Sequence, residues 1–126
     1  MDGTVYRVRV KFGTLGRSFR IPDGENAGEL LSGRYARDVI GTYYDYTMNV
    51  EPDPRYPEDY DAFYNAISAP VDSHEIKMPY GQKTVTFQAM VTGGSDMSQG
   101  VLGGVQRWSG LKVSFTAIAP VRTPTT

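Results

Sequence analysis

The chain has 126 residues, a formal net charge of −1, 40% hydrophobic and 21% charged residues, and no cysteine. That length and balance suit one folded domain with a real core rather than a disordered chain. The missing cysteines exclude disulfides, thiolate metal sites and a cysteine nucleophile, and the near-zero charge offers no general attraction to nucleic acid or anionic lipid.

No apolar run approaches the roughly 18 residues of a membrane span. The opening Met1-Asp2-Gly3-Thr4-Val5 lacks the basic-then-apolar pattern of a signal peptide. The expectation is a single β-rich domain over 1–126, made and assembled in a cytoplasm, with no membrane partner and a flexible tail from about 120.

Residues 5–12 alternate, with Tyr6, Val8, Val10 and Phe12 opposite Arg7, Arg9 and Lys11. This is the pattern of a strand with one wet face. A turn at 13–16 lets residues 17–21 return as a hairpin partner. Residues 25–33 read as a short helical turn around Leu30 and Leu31 or as an irregular loop. Residues 42–50 form the clearest long strand, with Thr42, Tyr44, Tyr46, Met48 and Val50 on one face. Pro52-Asp53-Pro54 ends it, because proline cannot donate to a ladder.

One helix is expected over 57–68, packed on the sheet. Pro57 suits its first position, and Glu58, Asp59 and Asp61 answer the helix dipole. Tyr60, Phe63, Tyr64 and Ile67 make an apolar stripe, and Pro70 stops the run. Strands follow at 74–78, 83–92 and 111–117, separated by Pro79-Tyr80-Gly81-Gln82 and by the glycine-rich stretch 93–104. That stretch reads as a long loop whose anchors Met97, Val101 and Leu102 serve a partner better than the loop itself. Short turns imply antiparallel pairing, so the predicted fold is mainly β, an antiparallel β-sandwich or half-barrel with one helix.

The chemistry that the sequence offers is thin. Asp72-Ser73-His74-Glu75 holds the letters of a triad, but neighbours in a strand face opposite ways. One histidine cannot build a multi-histidine metal site, the carboxylates lack calcium-loop spacing, and the glycine clusters lack a phosphate-loop ending. The expectation is no enzyme, no cofactor and no metal.

Two features point to binding instead. Tyrosine occurs nine times, and tyrosine suits surfaces that are apolar on one side and wet on the other. Tyr43 is not explained by a core under the helix. Charge is also segregated: acids crowd residues 45–61, whereas Arg17, Arg20, Arg34 and Arg37 lie in the first forty residues. Such segregation is either two solvated faces or a pair of complementary patches on copies of one chain.

Asp23-Gly24-Glu25-Asn26-Ala27-Gly28, then Gly33, then Arg37-Asp38-Val39-Ile40-Gly41-Thr42-Tyr43-Tyr44 resembles small proteins encoded near tail genes in prophages of gut Firmicutes. Tyr60-Asp61-Ala62-Phe63-Tyr64, Ala66-Ile67-Ser68, Pro70-Val71, His74, Met78-Pro79-Tyr80-Gly81-Gln82 and Trp108-Ser109-Gly110-Leu111 extend the resemblance over most of the chain. The element order is also similar to that of tail-tube and distal-tail ring proteins, by fold analogy. A long second hairpin is missing from the likeness unless residues 93–107 supply it.

The resemblance implies a virion structural protein of a bacteriophage: a ring-forming tail, tail-tube, tail-completion or baseplate component. Its partners would be copies of itself and other tail proteins, with DNA only passing through a lumen. The assembly interface would then draw on Arg17, Arg20, Arg34, Arg37, Tyr43, Asp45, Asp53, Met97, Val101 and Leu102. In that ring, part of the acidic segment would border the lumen or pair with arginines of the next subunit. The rival expectation is a carbohydrate-binding module using exposed tyrosines and Trp108. A single-strand nucleic-acid binder is a third, disfavoured by the net charge.

Overall fold

The computed structural model describes residues 1–22, 28–29, 35–36 and 40–123, the side chains of 28, 29, 35, 36 and 102 excepted. The strands are β1 (Val8–Val10), β2 (Gly16–Arg20), β3 (Gly28–Glu29), β4 (Tyr35–Ala36), β5 (Tyr43–Pro52), β6 (His74–Tyr80), β7 (Lys83–Met90), β8 (Gly94–Leu102) and β9 (Val105–Ala117). The helix α1 spans Pro57–Ile67, between β5 and β6. The chain is thus mainly antiparallel β with one helix among the described residues, as the alternation and short turns predict.

Seven strands make one sheet, in the order β1-β5-β9-β7-β6, with β2 also on β5 and β8 also on β9. Two strands are long enough to serve two neighbours on one edge. Along β5, β2 covers residues 43–47 and β1 covers 50–52. Along β9, β8 pairs with residues 105–113 and β7 with Ala117 and Thr116. The sheet curls so that the end of β6 comes back over β5, where the Tyr46 hydroxyl donates to the Pro79 carbonyl at 2.8 Å. This is a half-barrel.

The hairpin expected between β1 and β2 does not form. Both strands pair with β5 instead, in tandem, because the turn at 13–16 lays them end to end along one edge. Only Val8–Val10 of the predicted 5–12 strand is paired, and Phe12 is fully exposed. Of the two-residue ladder of β3 and β4, β3 lies inside the stretch 25–33 expected as a helical turn or loop and β4 just beyond it; Leu30 and Leu31 fall outside the described residues.

The core is a single cluster. Tyr46 and Val50 of β5, Ile76 and Met78 of β6, Phe87 and Ala89 of β7, and Leu111, Val113, Phe115 and Ala117 of β9 supply its sheet side. The period-2 alternation of β9 is what puts Leu111, Val113, Phe115 and Ala117 on one face. Tyr60, Phe63 and Ile67 of α1 cover this face, with Phe63 set edge-on to Tyr6 at 5.5 Å between ring centroids. Tyr64, expected in the same stripe, is left exposed at the rim of the helix.

The helix begins at Pro57 with no side-chain cap, and Glu58 and Asp59 fill its first turn. Asp59 does more than answer the dipole. It accepts from the Arg7 backbone N–H at 2.8 Å and from Arg7 Nε at 2.8 Å, tying the segment before β1 to the helix. Ser68 closes α1 by donating its hydroxyl to the Tyr64 carbonyl.

The stretch expected as a loop over 93–104 is the largest correction. It is β8 and the turn into β9, a hairpin paired from Gly94↔Val113 to Leu102↔Val105 with register shifts between Ser95 and Met97 and between Ser98 and Gly100. Gly103 and Gly104 both have positive φ (59° and 77°), the combination that a tight two-residue hairpin turn demands. The C-terminal stretch is not free from 120 either. Val121 N–H donates to the Thr42 carbonyl and Thr42 N–H to the Arg122 carbonyl, both at 2.8 Å.

Candidate assembly and binding surfaces

The acids of 45–61 are largely used inside the subunit. Asp45 accepts from Arg20 Nε at 3.1 Å and from the Ala117 N–H at 3.1 Å. Asp53 is buried and accepts from the Arg55 backbone N–H, Nε and Nη2, with Arg9 at 3.7 Å. Hydrogen bonds from Arg55 hold the Asp53 carboxyl below the usual carboxylate range, and those from Arg7 do the same for Asp59. Within the subunit the partners of Asp45 and Asp53 are arginines of their own chain, Arg20 for the first and Arg55 and Arg9 for the second. The register Arg20↔Tyr43 across β2 and β5 brings Arg20 within reach of Asp45.

Tyr43 is explained by the same pair. The Arg20 guanidinium lies over its ring, 4.4 Å from the centroid, and Arg20 also donates to the Ala117 carbonyl at 2.8 Å. Arg20, Tyr43 and Asp45 thus form one clamp between β2, β5 and the end of β9. Arg34 and Arg37 lie outside the described residues. Arg17 is different from Arg20: it has no carboxylate partner among the described residues, and its guanidinium stands 5.8 Å from the Tyr80 ring.

Ser73 and His74 face apart, as strand geometry requires. Ser73 donates to Gln88 Oε1 at 2.9 Å, whereas buried His74 donates through Nδ1 to Asp2 at 2.6 Å. Asp2 also receives the Glu75 N–H, and its own N–H donates to the Glu75 carbonyl, so it caps the outer edge of β6 at that residue. No group of three or more His, Asp or Glu side chains able to hold a metal ion occurs among the described residues. Among the described residues no helix is long and apolar enough to cross a membrane.

Met97 and Val101 belong to a surface that the sequence understated. In β8 and β9, every described side chain of residues 97–108 is exposed. Met97 (69%), Val101 (65%), Val105 (55%) and Trp108 (42%) are the large apolar ones. Here β9 has only β8 beside it, because its pairing with β5 begins at Leu111. The result is a two-stranded arm roughly 20 Å long, at about 3.3 Å per residue. Its root is fastened by Tyr60, whose hydroxyl donates to Asp96 at 2.9 Å; burial and that carboxylate raise the Tyr60 phenol well above its ordinary range. The Gly-Gly pair between Leu102 and Val105 was the sequence signal for this arm. The side chain of Leu102 lies outside the described residues.

Beside the arm root, Tyr64 and Trp108 line a hollow of about 210 Å³ with Asp61 and Asp96. At the opposite end of β5, the mouth of the half-barrel opens as a cleft of about 640 Å³. Phe19, Tyr44, Tyr80, Arg17 and Arg122 line it. The Tyr44 and Tyr80 hydroxyls are 3.0 Å apart, and the bond from Tyr80, with Arg122 and Arg17 acting the same way, lowers the Tyr44 phenol below the usual tyrosine range. The sequence pattern points to Arg17 and the tyrosines but not to Phe19, which reads as an ordinary strand residue, or to Arg122, which falls in the expected tail.

No family model, no curated protein and no solved structure matches this chain.

Proposed function

We propose that the protein is a bacteriophage virion structural component, a ring-forming tail, tail-tube, tail-completion or baseplate subunit that acts by self-assembly and without catalysis. The observation that carries this reading is the β8–β9 arm. An isolated two-stranded hairpin is marginal in water, and this one offers Met97, Val101, Val105 and Trp108 to solvent with no second layer over them among the described residues. A neighbouring subunit is the natural cover. The prophage resemblance of residues 23–44, 60–82 and 108–111 supports a place in a tail, and the arm supplies the second hairpin that the likeness to ring-forming tail proteins required. With Asp45 and Asp53 engaged in cis, the assembly contact in this reading is the apolar arm rather than complementary charge patches.

The test is the size of the purified protein as concentration rises, by sedimentation velocity and negative-stain microscopy, beside a variant in which residues 97–107 are replaced by a tight turn. Rings or higher oligomers from the parent and a folded monomer from the variant are expected. A parent that stays monomeric at millimolar concentration and is absent from particles overturns the reading.

A second reading, a carbohydrate-binding module, is favoured by the hollow at Trp108. Two exposed aromatic rings beside two carboxylates suit the apolar faces and hydroxyls of a neutral sugar. Trp108 is the one tryptophan, so its fluorescence during titration with neutral oligosaccharides reports this binding directly.

A further inference from the structure

The mouth of the half-barrel gathers two arginines, Arg17 and Arg122. Arg7 is paired with Asp59, Arg9 and Arg55 with Asp53, and Arg20 with Asp45. Arg17 and Arg122 have no carboxylate partner among the described residues, and both line the same cleft. An exposed arginine without a partner is ordinary on its own. Two that converge on one cleft, each set against tyrosine, are a pre-positioned anion-binding pair.

Their positions are fixed by the fold. Arg17 sits on β2 opposite Tyr46, and Phe19 opposite Tyr44, so alternation puts Arg17, Phe19 and Tyr44 on one face at the barrel mouth. Arg122 comes from the C-terminal stretch, where its backbone is bridged to Thr42. Tyr80 enters from the end of β6, its ring packed at 5.2 Å on Tyr44 and its hydroxyl against that of Tyr44. Four separate segments therefore converge on a cleft of about 640 Å³, within the range of small-ligand sites, at a barrel mouth where such sites recur.

The chemistry of the lining selects a ligand class. Thr42, Tyr44 and Tyr80 present hydroxyl groups, Phe19 presents a ring that is 69% exposed, and the two guanidinium forks ask for a carboxylate or phosphate. A ligand that uses all three is polyhydroxylated, has an apolar face and carries an anion. We infer that the half-barrel mouth is a binding site for an acidic saccharide, a sugar ring bearing a carboxylate or a phosphate, held by Arg17 and Arg122 over Phe19, Tyr44 and Tyr80. This rests on the carbohydrate reading but moves its site from Trp108 to the other end of β5, and it does not require ring assembly.

The experiment is a titration of the full chain, at a concentration where it is monomeric, with trigalacturonate, glucose 1-phosphate, maltotriose and inorganic phosphate. Calorimetry gives affinity and amide chemical shifts give location. Trigalacturonate or glucose 1-phosphate should bind with shifts at residues 17–19, 42–44, 80–81 and 122, and which of them binds more tightly identifies the anion. Arg17→Gln with Arg122→Gln should weaken binding about tenfold or more, the worth of a charge-assisted contact. Because both side chains are at the surface, an unchanged melting curve is expected. Phe19→Ala, also at the surface, should weaken binding without changing its salt dependence. Equal binding of maltotriose at the mouth, equal binding of inorganic phosphate, or no binding of either acidic sugar overturns the inference. Binding of neutral sugar with shifts confined to Trp108 overturns it while leaving the carbohydrate reading intact; no binding of any sugar removes both.

Discussion

β9 belongs to two different environments, and comparing its halves separates what folds this protein from what it offers to others. From Leu111 to Ala117 it runs through the centre of the sheet with β5 on one side, and its inward residues are almost without solvent contact. From Val105 to Gly110 it has β8 alone for a neighbour, and Val105 and Trp108 face water. Only the second half, from Leu111 onward, alternates between buried and exposed side chains. Burial is not a property of the strand but of the layer that α1 and β6 lay over one half and leave off the other. A chain that extends a well-formed strand beyond its core has made a surface whose stability comes from elsewhere: from the Tyr60–Asp96 tether, and in the assembly reading from a neighbour.

Substitutions across this boundary sharpen the contrast. Phe63→Ala empties the centre of the helix stripe beneath Tyr6 and should cost about 3–5 kcal/mol by cavity formation, read by chemical denaturation. A loss within error of the parent would mean that α1 does not close the core and that the body is no better covered than the arm.

Gly110 marks the point where arm becomes body, with φ at 72° and no atom within 4 Å of the position a Cβ would take. Gly110→Ala therefore meets no clash, and its cost is conformational alone, about 1–2 kcal/mol. A neutral effect would show that the bend between the halves relaxes freely.

Tyr60→Phe keeps the buried ring and removes only the bond to Asp96, at a cost of about 1 kcal/mol. Faster amide exchange should then spread through 96–108 while that of 111–117 stays unchanged. Exchange rising equally in both halves would show that arm and body open as one unit.

The smallest effect on stability belongs to the arm itself. Met97→Ser with Val101→Ser should leave the stability within about 0.5 kcal/mol of the parent, as surface changes usually do, and in the assembly reading should abolish self-association. Loss of stability comparable to Phe63→Ala would place these residues in the core instead and erase the distinction.

Much of the body was legible in the chain. Alternation at 42–50 and 111–117 gave the two central strands, because a half-buried strand needs period-2 patterning along its whole length. Pro57 and the spacing of Tyr60, Phe63 and Ile67 gave the helix, because that stripe is what a helix must bury. The arm reads as a loop in the sequence because its glycines and polar residues have low strand propensity and no buried face to impose alternation. The Gly103-Gly104 turn was the local signal that outweighed them.

Pairing and partnership were decided in three dimensions. Nothing local told β2 to run beside β5 rather than fold back on β1, since one turn serves either path and only the available length of β5 chooses. Nor could charge counting show that Asp45 belongs to Arg20, or Asp59 to Arg7 fifty-two residues away, because an ion pair depends on which strands the core brings together. The convergence of Arg17, Phe19, Tyr44, Tyr80 and Arg122 at one mouth has the same origin. The sequence by itself determined which residues must be inside; the curl of the sheet decided which of the others would meet outside, because burial is set by local pattern and encounter by topology.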